Sequence, residues 1–256
     1  MHQRIGARCE QRGSLNWRAA SATVYDRLIR FEEALHMDLV HTAFEPAGDG
    51  KYPAILAMHG WGSNALDLMG LAPYIARGRC LMLCPQGPVE VEIGAVNGYG
   101  WYQLRTGTPP DMEAMGQAAD RLMRFVDAAL ERYPLERRKL IVMGFSQGGV
   151  MAYNLAIRHP ERFAALVALS TWFPEELAGY ASNRDALAEM PTLVQHGRAD
   201  EMIEITKARQ SVERLRTLKL PLTYREYDCG HEITVDAIQD LSAFLMEKVV
   251  QPVIAP

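Results

Sequence analysis

The chain has 256 residues, of which 48% are hydrophobic and 23% are charged, so it is long enough to bury one sizeable core. Its 20 glycines and 14 prolines are scattered, which excludes a collagen-like repeat and a low-complexity architecture. The formal net charge is -4, from 27 basic and 31 acidic residues without a long run of either sign. This balance excludes the basic surface by which proteins bind nucleic acid or an anionic membrane.

The N-terminal segment, residues 1–45, is predicted to be an arm of uncertain structure. It begins with Arg4, Arg8 and Arg12 and has no apolar run between them, so no secretory signal is expected and the predicted location is cytoplasmic. Apolar residues from Val24 to Leu35 have helical spacing, and Asp38 to Phe44 alternates like an edge strand. A helix followed by a strand and a hairpin both remain open for this segment.

Residues 46–256 are predicted to form one α/β domain, because apolar runs alternate there with segments of helical period. This pattern is typical of βα units on a mostly parallel central sheet with helices on both faces. The predicted strands are Ala54–Met58, Cys80–Cys84, Lys139–Met143, Phe163–Leu169, Thr192–Gln195 and Thr223–Tyr227. The predicted helices are Ala65–Ala76, Met112–Tyr133, Gly148–Arg158, Ile203–Leu218 and Ile233–Val249.

Three further features of the sequence help to decide which class of protein this is. Pro85 to Pro110 is a long connection, which favours a functional loop. The uncharged stretch from Leu140 to Ile157 contains polar residues and glycines, so no membrane-spanning helix is expected. The cysteines lack metal-ligand spacing, and all four are interpreted as unpaired thiols: Cys9, Cys80, Cys84 and Cys229.

The segment Gly144-Phe145-Ser146-Gln147-Gly148-Gly149 directly follows a predicted strand and directly precedes a predicted helix. A serine on such a tight turn is held in a strained conformation with its hydroxyl exposed, and small neighbours let the strand and helix cross closely. The bare pattern also arises as a glycine turn without function, but its context favours a nucleophile elbow with Ser146 as nucleophile. The Gln147 N–H would then face the negative charge that develops there.

A serine nucleophile needs a general base, and His231 follows the last predicted strand at the same sheet edge as Ser146. The carboxylate that orients this histidine is predicted to be Asp200, which follows the strand before it. The order Ser146, Asp200, His231 is the one expected for an elbow of this kind. The competing histidines are assigned to turns, and the competing carboxylates to helix starts or unsuitable positions: His59, His196, Glu201, Glu204 and Asp228.

The turn His59-Gly60-Trp61-Gly62 follows the first strand of the domain. Acyl transfer needs at least two backbone donors for the oxyanion. In α/β proteins with a nucleophile elbow, a turn at this position contributes one of them. The two predicted donors are therefore the amides of Trp61 and Gln147. The alternative interpretation, that this segment is only a glycine turn, is compatible with this role.

With these residues, the chain resembles the α/β-hydrolase superfamily and, within it, the small carboxylesterase and acyl-protein thioesterase (phospholipase/carboxylesterase) family. The motifs that carry the resemblance run in family order: His59-Gly60-Trp61-Gly62, Cys84-Pro85-Gln86-Gly87-Pro88, Gly144 to Gly149, His196-Gly197-Arg198-Ala199-Asp200 and Gly230-His231-Glu232. The resemblance implies an α/β-hydrolase fold without a large cap domain, and hydrolysis of esters or thioesters without a cofactor or a metal.

The resemblance also implies that Ser170 to Pro174 lies beside the acyl pocket. The predicted substrate-binding residues are Trp101, Trp172, Phe173 and Met202, although apolar residues at a strand end are equally often core. The sequence departs from the family at Trp61, which is bulkier than usual, and at Glu201-Met202-Ile203 after Asp200. It departs also in its first forty or so residues, which have no counterpart in the family core.

The expected activity is a serine carboxylesterase acting on short- to medium-chain esters through an acyl-enzyme. The expected partner is a small-molecule ester, with no nucleic acid and no stable membrane insertion, and the oligomeric state stays open. An acyl-protein thioesterase or lysophospholipase would use the same triad. A serine peptidase and a non-catalytic ligand-binding protein on the same scaffold are remoter alternatives. A TIM barrel suits the length but gives no reason for the elbow at Ser146.

Overall fold

The structure is a computed structural model that describes residues 37–94, 96–104, 109–181 and 183–251. The helical pattern predicted between Val24 and Leu35, Cys9 and most of the predicted arm lie outside the described residues. The described part begins just before an edge strand, β1 (His41–Phe44), that lies within the segment assigned to the arm. Strand β1 pairs antiparallel with Leu81–Pro85, so the central sheet begins before residue 46.

The central sheet of the described residues has seven strands. The strands after β1 are β2 (Tyr52–Met58), β3 (Leu81–Pro85), β6 (Leu135–Phe145), β7 (Ala165–Leu169), β8 (Thr192–Gly197) and β9 (Leu222–Tyr227). Their order across the sheet is β1-β3-β2-β6-β7-β8-β9, and apart from β1 all neighbours are parallel. The inner strands are continuous apolar runs because helices cover both of their faces. All six strands predicted from the sequence are confirmed, with ends that differ by a few residues.

Four of the five predicted helices are confirmed. They are α1 (Met112–Arg132), α2 (Gln147–Arg158), α4 (Ile205–Thr217) and α5 (Val235–Leu245), which continues into a π-helical turn at Met246–Val250. A short helix that the sequence did not predict, α3 (Arg184–Glu189), lies in the connection between β7 and β8.

The predicted helix Ala65–Ala76 is wrong. That segment contains two short 3₁₀ turns, Met69–Leu71 and Ile75–Gly78, separated by other turns. Pro73 has no N–H to donate and disfavours helical geometry before it, and Ala76 takes a positive φ of 48°. Apolar spacing in this segment therefore reflects burial against the sheet without a continuous helix.

The core lies in two layers, one on each face of the sheet. One layer joins α1, α2 and α4 to strand residues such as Leu56 and Val142. The other joins the 3₁₀ turns and α5 to strand residues such as Ile55 and Ile141. Neighbouring strand residues point to opposite layers, as the two-residue period of a strand requires. The predicted fold class, an α/β-hydrolase fold with a mostly parallel sheet covered on both faces, is confirmed.

The long connection between β3 and α1 contains a two-stranded hairpin, β4 (Val89–Ile93) and β5 (Val96–Gly100). The sequence pattern predicted this segment only as a loop. The strict alternation of Val89-Glu90-Val91-Glu92-Ile93 before Gly94 is a strand-and-turn signal that could have revealed the hairpin.

The three cysteines within the described residues, Cys80, Cys84 and Cys229, are free thiols, as predicted for them. Burial raises the pKa of both the Cys80 and Cys84 thiols to about 12, so they are inert core residues. In the part of the chain that the structure describes, no helix has the length and apolarity needed to cross a bilayer.

Candidate active site

Ser146 lies on the tight turn between β6 and α2, with a φ of 53° and a ψ of -120°. A positive φ is unfavourable for a residue with a side chain, so this conformation must be held by its neighbours. The Ser146 N–H donates to the Leu169 carbonyl at 2.9 Å, and the Thr171 hydroxyl donates to the Ser146 carbonyl at 2.7 Å. Leu169 ends β7 and Thr171 lies two residues after it, so the adjacent strand and the chain that leaves it fix the turn.

Two glycines allow this turn to form. A Cβ atom added at Gly144 would overlap the carbonyl of Gly148, and one added at Gly148 would overlap the carbonyl of Met58 at the end of β2. Helix α2 therefore begins in contact with both the strand it leaves and the neighbouring strand. The spacing Gly-x-Ser-x-Gly thus reflects close backbone approaches on both sides of Ser146.

Asp200 and His231 lie in the loops that follow β8 and β9, and these loops are bound to each other. The Ala199 N–H donates to the Cys229 carbonyl at 3.0 Å, and a Cβ at Gly197 would overlap the Gly230 carbonyl. As a result, His231 Nδ1 lies 2.8 Å from Asp200 Oδ2. A carboxylate only accepts, so Nδ1 carries the hydrogen in this contact, and a neutral ring in this tautomer has its lone pair on Nε2.

The Asp200 carboxylate is buried and held on both oxygens. Its Oδ1 accepts the backbone N–H groups of Met202 and Ile203 at 2.9 and 2.8 Å. On the far side, His196 Nε2 donates to the Ile203 carbonyl at 2.7 Å and lies 3.3 Å from Asp200 Oδ2. Burial lowers the pKa of His196, which favours its neutral form beside the carboxylate.

The His231 side chain is 19% exposed and packs against the nucleophile turn. Its ring centroid is 4.8 Å from that of Phe145, the residue before Ser146. The competing carboxylate Asp228 forms an ion pair with Arg198 on the surface, and Glu204 accepts from the Thr206 hydroxyl. Among these three carboxylates, Asp200 is the partner of the His231 ring.

The turn after β2 passes directly beside Ser146, because a Cβ atom added at Gly60 would lie 3.3 Å from the Ser146 Cβ. His59 shapes this turn, as expected from the sequence. Its Nδ1 donates to the Gly60 carbonyl at 2.7 Å, and its Nε2 accepts the Gly87 N–H at 2.9 Å. Burial lowers the pKa of His59, so the ring is neutral while it holds both contacts. The Trp61 amide follows within this turn.

The hairpin of β4 and β5, which the sequence pattern did not predict, binds the same turn. The Gly62 N–H donates to the Tyr99 carbonyl at 2.8 Å, and the Tyr99 N–H donates to the Ser63 carbonyl at 2.7 Å. Past the hairpin, the Trp101 indole donates to the His59 carbonyl at 2.9 Å. Strand β5 and the residue after it therefore border the site.

A cavity of about 780 Å³ lies beside these residues, between α1 and the chain that follows β5. Trp101 and Trp172 both line it, as do Val89, Leu104 and the α1 residues Gln117 and Arg121. Trp101 is buried and its backbone N–H donates to the Gln147 side chain at 2.9 Å. Trp101 therefore connects the cavity to the residue after Ser146, whereas Ser146, Asp200 and His231 do not themselves line it.

The other two predicted substrate-binding residues differ from these. The ring of Phe173 is fully buried and packs edge-to-face against Tyr153, with centroids 5.3 Å apart. Phe173 therefore packs in the core, and its place in a substrate pocket stays a prediction. Met202 is 74% exposed, and its side chain does not line the cavity.

Known proteins are similar to this chain in sequence. A family model described as phospholipase/carboxylesterase matches residues 41–249. Acyl-protein thioesterase 1 from Gibberella zeae is 23% identical over 184 residues, which are 64% of this chain and 74% of that protein.

Solved structures share the fold. The crystal structure of esterase PE8 has a TM-score of 0.70 at 23% identity, covering 82% of this chain and 99% of that one. The structure of Zea mays acyl-protein thioesterase 2 has a TM-score of 0.68 at 21% identity, covering 81% of this chain and 97% of that one. The match to the family model covers most of the chain, and the fold agrees with it. The chain therefore belongs to the phospholipase/carboxylesterase family of the α/β-hydrolase superfamily, a family of ester hydrolases.

Proposed function

We propose that the protein is a serine carboxylesterase that hydrolyses short- to medium-chain carboxylic esters through an acyl-enzyme intermediate. The observation that carries the proposal is the strained turn at Ser146 beside His231, whose ring is joined to the buried Asp200 at 2.8 Å. Both features lie at the carboxyl edge of the sheet, where α/β proteins place their sites. An isolated glycine turn would not need an aspartate–histidine pair whose ring packs against the residue before the serine.

In the proposed mechanism, the Ser146 hydroxyl attacks the ester carbonyl carbon while His231 Nε2 takes its proton. The resulting imidazolium is stabilised by Asp200, and the Trp61 and Gln147 amides bind the oxyanion. His231 then gives the proton to the departing alcohol as the carbon–oxygen bond breaks. A water molecule, deprotonated by His231, attacks the acyl carbon. His231 then gives this proton to the Ser146 oxygen as the acyl–oxygen bond breaks and the acid leaves.

The cavity supports a substrate whose apolar part packs against Trp101 and Trp172. Its volume of about 780 Å³ is in the range of small-molecule sites. Packing of an acyl chain against the two indole rings distinguishes chain lengths weakly, since one methylene contributes about 1–3 kcal/mol. We therefore propose broad use of small esters by a catalytic domain that includes β1, so the boundary predicted at residue 46 moves to before His41. The cytoplasmic location stays a prediction.

The test is hydrolysis of p-nitrophenyl esters from acetate to palmitate by the wild type and by Ser146→Ala. We expect activity to peak at short or medium chains and to fall by at least about 10³-fold in the variant, because the nucleophile is lost. Ser170→Ala is a matched control: Ser170 also follows a strand at this edge with a positive φ, of 44°, and has no role in the mechanism. Equal activity of Ser146→Ala and wild type would refute the proposal.

A second candidate, an acyl-protein thioesterase, is favoured by the similarity to the Gibberella zeae protein of that name. The same residues would cleave a thioester, with a thiolate as the leaving group. A palmitoyl-thioester peptide assay distinguishes the two. Thioester turnover much faster than ester turnover, and lost in Ser146→Ala, would place the thioesterase first.

A further inference from the structure

The Gln147 side chain has two partners that its position beside Ser146 does not explain. It is fully buried, its Oε1 accepts the Trp101 N–H at 2.9 Å, and its Nε2 donates to the Tyr102 carbonyl at 2.7 Å. Both polar atoms of the side chain therefore bind backbone groups of the two residues that follow β5. Meanwhile its backbone N–H, the first of α2, has no acceptor within the helix.

The same stretch of chain holds the other proposed oxyanion donor. Tyr99 makes two backbone hydrogen bonds with the turn after β2, and the Trp101 indole binds the His59 carbonyl. The approach is close enough that a Cβ at Gly100 would overlap the Trp61 ring. Residues 99–102 therefore contact the Trp61 side of the site and the Gln147 side at once.

We propose that the Gln147 side chain is a positioning residue that fixes the Gln147 and Trp61 amides relative to each other through residues 99–102. The inference rests on the proposed function, because it concerns the two oxyanion donors. Two amides that converge on one oxygen must be held within about 0.5 Å of the productive geometry. They belong to different loops, and the Gln147 side chain connects these loops by binding residues 101 and 102, which follow the hairpin held on the Trp61 turn.

The consequence is a specific kinetic signature. Donors to an oxyanion act mainly in the transition state, so their displacement lowers kcat and leaves substrate binding largely intact. Acylation and deacylation both pass through an oxyanion, so both steps slow together and KM is retained. A boronic acid, which forms a tetrahedral adduct with the serine, should lose affinity in parallel with kcat/KM.

The experiment uses Gln147→Met, which keeps the length of the side chain and removes both hydrogen bonds. Loss of one oxyanion donor costs about 10²–10³-fold, so a displaced donor should lower kcat by about 10–100-fold with KM within about threefold. Inhibition by a boronic acid should weaken by a factor similar to the loss in kcat/KM. Rates are expressed per active site, titrated with a fluorophosphonate.

Gln195→Met is the matched control. Gln195 is also buried at the end of a strand, and its amide donates to the Ala237 carbonyl at 3.0 Å, but it does not contact residues 99–102. We expect this variant to lose stability without the selective loss of kcat and boronic acid affinity.

Three results would overturn the proposal. They are a folded Gln147→Met variant with kcat within about threefold of wild type, a loss equal to that of Gln195→Met, or a Gln147→Met variant that does not fold while Gln195→Met does. The last result would show that the Gln147 side chain is needed for folding and not specifically for positioning the two amides. Failure of the proposed function itself is distinct, because wild type and Ser146→Ala would then hydrolyse esters equally.

Discussion

At the scale of single residues, Asp200 shows how one carboxylate performs two tasks. Oxygen Oδ1 binds the amides of Met202 and Ile203, which fixes the loop after β8. Oxygen Oδ2 faces His231 Nδ1, which fixes the ring and its tautomer. Because the two oxygens have different partners, a substitution can remove the contact with His231 and keep the contacts that fix the loop.

Asp200→Asn is such a substitution. Its carbonyl oxygen can still accept the two backbone N–H groups, but its NH₂ faces Nδ1 and favours the tautomer with hydrogen on Nε2. That tautomer cannot take a proton from Ser146, so we expect kcat for ester hydrolysis to fall by about 10³–10⁴-fold. The melting temperature should change little.

The control is Asp228→Asn, whose carboxylate pairs with Arg198 at the surface. Exposed ion pairs contribute little, so its kcat should stay within about twofold of wild type. If Asp200→Asn kept a tenth or more of the wild-type rate, another group would have to orient His231.

At the scale of elements, α1 is the helix with the clearest beginning. Pro109 and Pro110 precede it, and Asp111 accepts the Ala114 N–H at 2.9 Å as its N-cap. Its buried face includes Met115, Leu122 and Phe125, with the three- and four-residue spacing that predicted it. Here local sequence and tertiary packing favour the same structure, which is why the predicted and observed starts coincide.

Asp111→Ala should lower the free energy of unfolding by about 1 kcal/mol, because one N-terminal amide of α1 loses its acceptor. Asp111→Asn keeps an acceptor oxygen and should lose less. Urea unfolding followed by circular dichroism measures both variants. Equal stability of Asp111→Ala and wild type would show that water or another group caps the helix equally well.

Elements also show where local patterns mislead. Apolar spacing from Ala65 to Ala76 predicted a helix, but Pro73 and the positive φ values at Ala76 and Arg77 break it into turns. Conversely, β4 and β5 form a hairpin that binds the turn holding Trp61. An alternating strand of this kind is only half-buried, so its signal is weaker than the apolar runs of the central sheet.

At the scale of the whole molecule, two buried histidines lie at the carboxyl edge of the sheet, His59 after β2 and His196 in β8. Burial lowers the pKa of each below the ordinary histidine value. The unfolded chain therefore binds more protons than the folded one just below about pH 6.5. Their contribution to stability is full above that pH and is lost as the pH falls toward the lowered folded values.

We therefore expect the free energy of unfolding to decline between about pH 6.5 and pH 5, by up to about 1.4 kcal/mol per pH unit for each histidine that takes up a proton on unfolding. Urea unfolding at a series of pH values measures this slope. The variant His59→Asn carries no titrating group at that position and should show a shallower decline. A wild-type free energy that stays flat over this range would contradict the prediction.

The sequence by itself determined the features that depend on neighbours along the chain. These are the buried strands, the amphipathic helices and the elbow around Ser146, because each needs only local periodicity or glycine spacing. Parallel strands also bring the loops after β6, β8 and β9 to one edge, so strand order along the chain was enough to group Ser146, Asp200 and His231.

Only the tertiary structure decided which side chains meet across that edge. It brought His231 Nδ1 to 2.8 Å from Asp200 Oδ2, buried Phe173 against Tyr153, and bound the Gln147 side-chain amide to Trp101 and Tyr102. These contacts connect residues far apart in sequence, and their geometry is set by how the loops pack. No period or motif along the chain encodes such distances, so they follow from the folded packing alone.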